Sequence, residues 1–146
     1  MAESTESSTT VDAAPTQVLD VIADLGSYPE WVGGVKEVEV LARTAGRPSR
    51  ARFVVDNGPI KDTYVLDYTW KVTKAGTGTV SWSLVEASVI TRLDGSYELA
   101  TQGTGTSVTY RLSVDVRIPM LGMLKRKAER VIIDTALKGL RKRVEG

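Results

Sequence analysis

Aromatic side chains with polar tips are the residues of this sequence whose types and spacing could do chemistry. Six of them fall on the apolar positions of alternating strand patterns, namely Tyr64, Tyr68, Trp70, Trp82, Tyr97 and Tyr110. An ordinary core prefers Val, Ile and Leu at such positions, because buried hydroxyl and indole N–H groups need hydrogen-bond partners. Six such rings on one face predict a roomy interior with a few polar groups, as small-molecule pockets have. The alternative is that the rings pack the space between sheet and helix as ordinary core.

Two charged residues, Glu86 and Arg92, could add acid–base chemistry to such a pocket. If the strand around Trp82 and Leu84 continues, Glu86 shares their face, and Arg92 is expected to face inward as well. A carboxylate in an apolar cavity has a raised pKa and could act as a general acid or base. Both are weak catalytic candidates, because the consecutive apolar residues Leu84 and Val85 interrupt the alternation and are typical of a β-bulge.

The residue types that are missing narrow the chemistry further. The sequence of 146 residues has neither histidine nor cysteine, which excludes Ser-His-Asp and Cys-His nucleophile systems, disulfides, and the usual zinc and haem sites. Histidine is also the commonest general base at neutral pH. The composition therefore favours a binding protein, with no cofactor and no metal, over an enzyme.

Length, charge and hydropathy describe an ordinary globular protein. We predict one domain over residues 1–146, since a chain of this length can bury a sizeable core. The net charge of +1 gives no overall field that would attract nucleic acid, so no nucleic-acid partner is expected. The absence of a long apolar run and of a signal-peptide pattern predicts a cytoplasmic location. Oligomeric state leaves no signal in the sequence, and a monomer is the default.

The elements that must position the aromatic residues follow from periodicity and turn residues. Residues 3–13 form a predicted strand, Pro15 opens a helix that Gly26 ends, and a second short helix covers Tyr28 to Val32. Strands joined by short turns follow, with turn signals at 46–48, 57–59, 76–78, 94–95 and 103–105. Short connections predict an antiparallel meander in an α+β layout, with the helices packed on one face of the sheet.

A long strand and a long helix close the sequence. Residues 105–118 alternate, with Tyr110 and Leu112 on the apolar face, and an amphipathic helix then spans Met120 to Glu145. The predicted apolar face of this helix comprises Met120, Met123, Leu124, Ala128, Val131, Ile132, Thr135, Ala136 and Leu140. The two methionines offer adaptable lining near a pocket mouth, and Gly139 predicts a close approach to a strand. A helix across the apolar face of a curved sheet would supply the second wall of a cavity.

The same helix carries eight basic and three acidic residues. Such a helix could dock on RNA, the ribosome or an anionic membrane. A solvated outer face, with cations that complement the helix dipole, accounts for most of these positions. A weak peripheral membrane contact is kept as an alternative.

An ordered set of short motifs resembles a known family. Tyr28-Pro29-Glu30-Trp31 follows the first helix and precedes Gly33-Gly34-Val35-Lys36-Glu37-Val38. The further segments are 14–18, 93–97, 105–110 and the closing helix. Together they resemble the polyketide cyclase/dehydrase branch of the START-like superfamily, also called SRPBCC, and especially its small single-domain members common in actinobacteria. The resemblance covers nearly the whole chain.

The resemblance implies a helix-grip fold, in which a curved seven-stranded antiparallel sheet surrounds the C-terminal helix, with two short helices after the first strand and a deep hydrophobic cavity. Family members bind lipids, sterols, polyketides or other apolar ligands, and some are cyclases or dehydratases. Some relatives are implicated in coenzyme Q binding or ribosome association. No single catalytic motif defines the family, so no catalytic residue is carried over. Tyr97 stands where many relatives have Trp, which alters the cavity shape and adds a hydroxyl.

The leading prediction is a protein that binds or carries a hydrophobic small molecule, such as a lipid, sterol, polyketide or isoprenoid-like compound, in an internal cavity. The predicted ligand-binding residues are Trp31, Tyr64, Leu66, Tyr68, Trp70, Trp82, Leu84, Tyr97, Tyr110, Leu112, Met120, Met123 and Leu124. One alternative is a polyketide cyclase or dehydratase that uses Tyr, Glu and Arg side chains in the cavity. The other is an adaptor that docks on RNA, the ribosome or an anionic membrane through the basic helix.

Overall fold

The computed structural model describes residues 4–56, 61–117 and 122–146. Its strands are β1 (Thr5–Val11), β2 (Val35–Thr44), β3 (Arg47–Asp56), β4 (Lys61–Val72), β5 (Gly78–Ala87), β6 (Ile90–Gln102) and β7 (Gly105–Val116). Its helices are α1 (Pro15–Ala23), a single 3-10 turn (Leu25–Ser27), α2 (Tyr28–Trp31) and α3 (Gly122–Glu145).

The strands form one antiparallel sheet in the order β1-β7-β6-β5-β4-β3-β2. Strands β2 to β7 are a meander of neighbouring hairpins, whereas β1 joins the sheet beside β7. Helix α3 packs against β1 and β7 and touches α1 and α2. The predicted α+β helix-grip architecture is confirmed, with its seven-stranded curved sheet, two short helices after the first strand and long closing helix.

The hairpin predicted at Asp94 and Gly95 is wrong, because both residues lie inside β6. Gly95 pairs with Trp82 of β5, and a Cβ atom on Gly95 would come within 2.5 Å of the Trp82 indole. The glycine therefore makes room for a large ring that lies across the neighbouring strand. The chain turns between β5 and β6 at Ser88 and Val89 instead.

The turn predicted at 46–48 lies one residue earlier than expected. Ala45 and Gly46 form it, with φ angles of 52° and 81°, and Arg47 and Pro48 already belong to β3. Two consecutive positive φ angles suit a tight hairpin, because they match the right-handed twist of the flanking strands. The turn predicted at 57–59 lies outside the described residues.

The two halves of α3 are packed differently. Ile133 and Leu137 are buried, whereas Met123, Leu124 and Val131 are 76%, 56% and 60% exposed. The predicted apolar face is therefore wrong at Met123 and Leu124, whose side chains are exposed to solvent. None of the helices among the described residues is long and apolar enough to cross a membrane. The cytoplasmic location stays a prediction.

Gly139 permits a close approach, but to a helix rather than to a strand. A Cβ atom on Gly139 would lie 2.5 Å from the carbonyl oxygen of Trp31 in α2. The Trp31 ring in turn packs edge-on against Tyr28, with the ring centroids 5.0 Å apart. The glycine thus fixes the distance between α3 and the short helix at one side of the sheet.

Glu129 joins the first half of α3 to the edge of the sheet. Its carboxylate is 1% exposed, accepts hydrogen bonds at 2.7 Å from Thr5 Oγ1 and from the Val114 N–H, and pairs with Lys125. Lys125 also donates to Ser113 Oγ at 3.2 Å. The described pairing of β1 with β7 starts at Thr5 opposite Leu112, and beyond it Glu129 supplies the acceptor for the Val114 N–H.

Candidate ligand-binding cavity

A cavity of about 410 Å³ lies between the inner face of the sheet and α3. Residues of β3 to β7 line one side, and the α2–β2 connection and the middle of α3 line the other. None of the described residues on its wall carries a charge. The cavity is therefore an apolar space whose polar groups are hydroxyls, an indole and the backbone.

Seven of the predicted ligand-binding residues are on the cavity wall. They are Tyr64, Leu66, Tyr68, Trp82, Tyr97, Tyr110 and Leu112. Strand alternation places them there, since all seven occupy the inward positions of β4 to β7. The structure thus brings together the larger part of the set, and their role in binding stays a prediction.

Three further predicted residues lie behind the wall or at its edge. Trp70 donates its indole N–H to the Pro48 carbonyl at 2.6 Å and stacks on Tyr68, with the ring centroids 5.8 Å apart. Leu84 is half-buried beside Leu66. Trp31 packs on Tyr28, and its enclosed indole N–H has no hydrogen-bond partner in the part of the chain that the structure describes. These side chains support the wall and do not line the cavity.

Neither of the predicted entrance residues that the structure describes lines the cavity. Met123 and Leu124 are exposed and absent from its wall, and Met120 lies outside the described residues. The cavity instead reaches solvent beside Val131 and Thr135, which line it and are themselves exposed. Across the opening lies Gly33, where a Cβ atom would come within 3.3 Å of the Thr135 methyl group.

The inner rings form a continuous aromatic layer. Tyr97 and Tyr110 stand directly opposite each other on β6 and β7, with their centroids 4.7 Å apart. Trp82 packs 5.4 Å from Tyr97 and 5.6 Å from Tyr110. Phe53 of β3, which sequence reasoning missed, stacks on Tyr64 at 5.4 Å. Its position follows from the same alternation, since Phe53 shares the inward parity of Ala51 and Val55 in β3.

The hydroxyl groups of the five buried tyrosines differ in their partners. Tyr28 donates to the Ile22 carbonyl at 2.5 Å. The hydroxyls of the other four have no hydrogen-bond partner among the described residues, and none of the four oxygens is fully enclosed. These four are Tyr64, Tyr68, Tyr97 and Tyr110. Burial raises the pKa of all five phenols above the ordinary value, and neighbouring tyrosines or acidic groups add to the shift. They are therefore neutral donors at physiological pH.

The two weak catalytic candidates lie outside the cavity. In the β4–β5 register, Leu66 faces Leu84 but Val65 faces Glu86, so Val85 is an extra residue that forms a bulge. The bulge turns Glu86 to the outer face, where it is exposed. Arg92 is exposed as well and pairs with Asp94 at 2.8 Å. The expectation that both side chains face inward is wrong.

Asp62 is a buried carboxylate that sequence reasoning also missed. Its two oxygens accept backbone N–H groups of Thr63, Ser88, Val89 and Ile90 at 2.8 to 3.1 Å. Burial alone would raise the pKa of Asp62, but these four donors lower it below its ordinary value. Asp62 thus stays ionised and fixes the β5–β6 turn at the end of the cavity next to Ile90, without lining the cavity itself.

Comparisons with known proteins agree with this geometry. A family model described as polyketide cyclase/dehydrase and lipid transport matches residues 11–141. No functionally curated protein matches the sequence significantly. Within the described residues, no group of acidic side chains is placed to hold a metal ion.

Three solved structures illustrate the shared fold. A START superfamily protein from Mycobacterium smegmatis is 22% identical, with a TM-score of 0.88 and 97% of each chain covered. The Zhui aromatase/cyclase from Streptomyces sp. R1128 is 16% identical, with a TM-score of 0.79 over 99% of this chain and 94% of that one. A STAR-related lipid transfer protein from Xanthomonas axonopodis is 21% identical, with a TM-score of 0.74 over 97% of this chain and 85% of that one.

Proposed function

The chain belongs to the polyketide cyclase/dehydrase and lipid transport family, and on this premise we propose that it binds and carries a hydrophobic small molecule in the cavity beneath α3. The observation that carries the proposal is an apolar space of about 410 Å³, walled by aromatic rings and open to solvent beside Val131 and Thr135. Small-molecule sites have volumes of roughly 300–1,000 Å³ and mostly apolar walls with a few polar groups.

The packing energetics favour an occupant. Protein interiors are close-packed, so a large apolar space leaves the side chains around it without contacts that a ligand can restore. Aromatic faces such as those of Tyr97, Tyr110 and Trp82 bury much apolar area per residue, which suits lipids, sterols, polyketides or isoprenoid-like compounds. The contact residues we assign are the seven predicted residues on the wall, joined by Phe53.

Binding is favoured over acid–base catalysis. The wall has no charged side chain among the described residues, and the tyrosine phenols have raised pKa values because they are buried. A group with such a pKa is a poor proton acceptor near neutral pH. Proton transfer inside the cavity would therefore lack a base, whereas hydrogen bonding to a ligand needs none.

The basic face of α3 gives little support to the adaptor alternative. Arg143 pairs with Glu30 at 3.1 Å, Arg141 with Glu145 at 3.3 Å, and Lys125 is held by Glu129. These ion pairs neutralise part of the positive charge of α3. A weak peripheral membrane contact stays a prediction.

A blocking substitution tests the proposed function. Ala128 is half-buried and lines the cavity from α3, so Ala128→Phe would place a ring in the ligand space. We expect the neutral probe N-phenyl-1-naphthylamine to bind the natural protein and to receive excitation energy from Trp82. The variant should bind it at least about tenfold more weakly, which corresponds to about 1.4 kcal/mol.

The matched control is Leu41→Phe, which adds the same ring at an exposed position away from the cavity. It should bind the probe as the natural protein does. A natural protein that does not bind the probe, or a folded Ala128→Phe variant with full affinity, would contradict the proposal.

A further inference from the structure

We propose that the cavity selects a neutral ligand with a carbonyl-type oxygen over an ionised acid of the same shape, and that Tyr97 and Tyr110 donate hydrogen bonds to that oxygen. The inference rests on the proposed function, since it concerns the same cavity, and it names the chemistry of the occupant. Two independent features of the wall support it, namely the absence of a cation and the presence of unused donors.

The first feature is the charge around the cavity. An ionised carboxylate that leaves water needs a buried cation or several donors to offset the lost hydration. None of the described residues on the wall is cationic. The half-buried Lys125 lies off the wall and is paired with Glu129, and the buried carboxylate of Asp62 stands close enough to Tyr64 to raise its pKa. An anion in the cavity would therefore lie near the negative charge of Asp62, and none of the described wall residues would serve as its counterion.

The second feature is the set of hydroxyls that lack a protein acceptor. A hydroxyl buried against an apolar ligand loses its hydrogen bond to water without a replacement, which is unfavourable. A ligand oxygen near the hydroxyls would restore that bond, and a neutral carbonyl does so without the cost of burying a charge. Because burial raises the pKa of Tyr97 and Tyr110, both phenols keep their protons and act as donors.

Tyr97 and Tyr110 are the pair best placed to act together. They stand opposite each other on β6 and β7, their centroids are 4.7 Å apart, and Trp82 packs against both. No carboxylate affects the pKa of either phenol, whereas Tyr64 is affected by Asp62. The ring layer that surrounds the pair also suits a flat apolar ligand body.

Three probes that share a naphthalene ring system separate these contributions, and 2-acetylnaphthalene and 2-naphthoate are also matched in size. Naphthalene supplies the apolar body, 2-acetylnaphthalene adds a neutral carbonyl, and 2-naphthoate replaces the methyl group by an anionic oxygen. Competition with N-phenyl-1-naphthylamine at pH 7 measures each affinity. We expect 2-acetylnaphthalene to bind about tenfold more tightly than naphthalene and at least about tenfold more tightly than 2-naphthoate.

Hydroxyl deletions locate the carbonyl. The double variant Tyr97→Phe/Tyr110→Phe keeps both rings, so naphthalene affinity should be unchanged while the advantage of 2-acetylnaphthalene over naphthalene disappears. The matched control is Tyr28→Phe, because the Tyr28 hydroxyl already donates to the Ile22 carbonyl. That variant should leave the ratio of the two affinities unchanged, whatever its stability.

Two results would overturn the inference while the proposed function stands. In the first, naphthalene binds, but 2-naphthoate binds as tightly as 2-acetylnaphthalene. In the second, the Tyr97→Phe/Tyr110→Phe variant still binds 2-acetylnaphthalene more tightly than naphthalene by the full factor. If naphthalene and N-phenyl-1-naphthylamine both fail to bind, the proposed function and this inference fall together. The affinity ratios between the three probes test selectivity, whereas the binding of naphthalene and N-phenyl-1-naphthylamine tests whether the cavity binds apolar ligands at all.

Discussion

The two buried carboxylates, Asp62 and Glu129, differ from the polar groups inside the cavity. Asp62 and Glu129 have protein partners for both carboxylate oxygens, whereas Tyr97 and Tyr110 have none among the described residues. Native proteins satisfy nearly all enclosed polar groups, because an unpaired one is costly. The difference teaches that the two buried carboxylates stabilise the fold, while the cavity hydroxyls are left available for hydrogen bonds to a ligand.

The largest effect is expected at Glu129. Glu129→Ala leaves the Val114 N–H, the Thr5 hydroxyl and the Lys125 ammonium group without their acceptor. Breaking a buried charge pair in this way costs about 3–5 kcal/mol. Urea unfolding followed by tryptophan fluorescence measures it. The control Asp134→Ala removes an exposed acid from the same helix and should change stability by less than about 0.5 kcal/mol. Equal losses of stability in Glu129→Ala and Asp134→Ala would contradict the stabilising role of the buried Glu129 carboxylate.

A smaller, pH-dependent effect is expected at Asp62. Because its folded-state pKa lies below the ordinary value of 3.8, the unfolded state binds the proton more readily. The stability that Asp62 contributes is therefore fully present above about pH 4 and is lost as pH falls through the lower folded-state pKa.

Asp62→Asn tests this dependence. The variant should be less stable than the natural protein by about 1–3 kcal/mol at pH 7. The gap should narrow as the pH is lowered from 5 to 3, which denaturant titrations at several pH values would show. A gap that widens toward low pH would contradict the lowered pKa.

The smallest stability effects are expected for the tyrosine hydroxyls, which compare a bonded hydroxyl with an unbonded one. Tyr28→Phe removes a hydroxyl bonded to Ile22 and should cost about 1 kcal/mol, whereas Tyr97→Phe removes one without a partner and should change stability by less than about 0.5 kcal/mol. Thermal unfolding of the two ligand-free variants measures the difference. An equal loss in both would mean that the Tyr97 hydroxyl is already satisfied within the protein.

Strand alternation made much of the fold and the aromatic wall predictable. The period-2 pattern of β4 and β7 places Tyr64, Tyr68 and Tyr110 on the inner face because side-chain direction in a strand follows sequence parity. Parity fails where the register shifts, so the bulge at Val85 turned Glu86 outward. The turn pattern at Asp94 and Gly95 was likewise misleading, because Gly95 is required by tertiary packing against the Trp82 ring and not by a turn.

The buried carboxylates could not be predicted from the sequence for a different reason. Glu129 stands among basic residues on a helix, which is the usual pattern of a solvated face. Its burial depends on the register of β1 with β7, which is a property of the assembled sheet and not of the local sequence. The same holds for Asp62, whose four donors include residues 88–90 of a distant turn.

The pairing of β1 with β7 has a consequence for the order in which the protein can assemble during synthesis. Thr5 lies opposite Leu112 and bonds to Glu129, so both of these partners of Thr5 are synthesised more than a hundred residues after it. Contacts of such long sequence separation form slowly, since a large loop must close first. Until β7 and α3 have left the ribosome, the aromatic residues of β3 to β6 lack the helix that covers them in the folded protein. We expect that stage to depend most on chaperones.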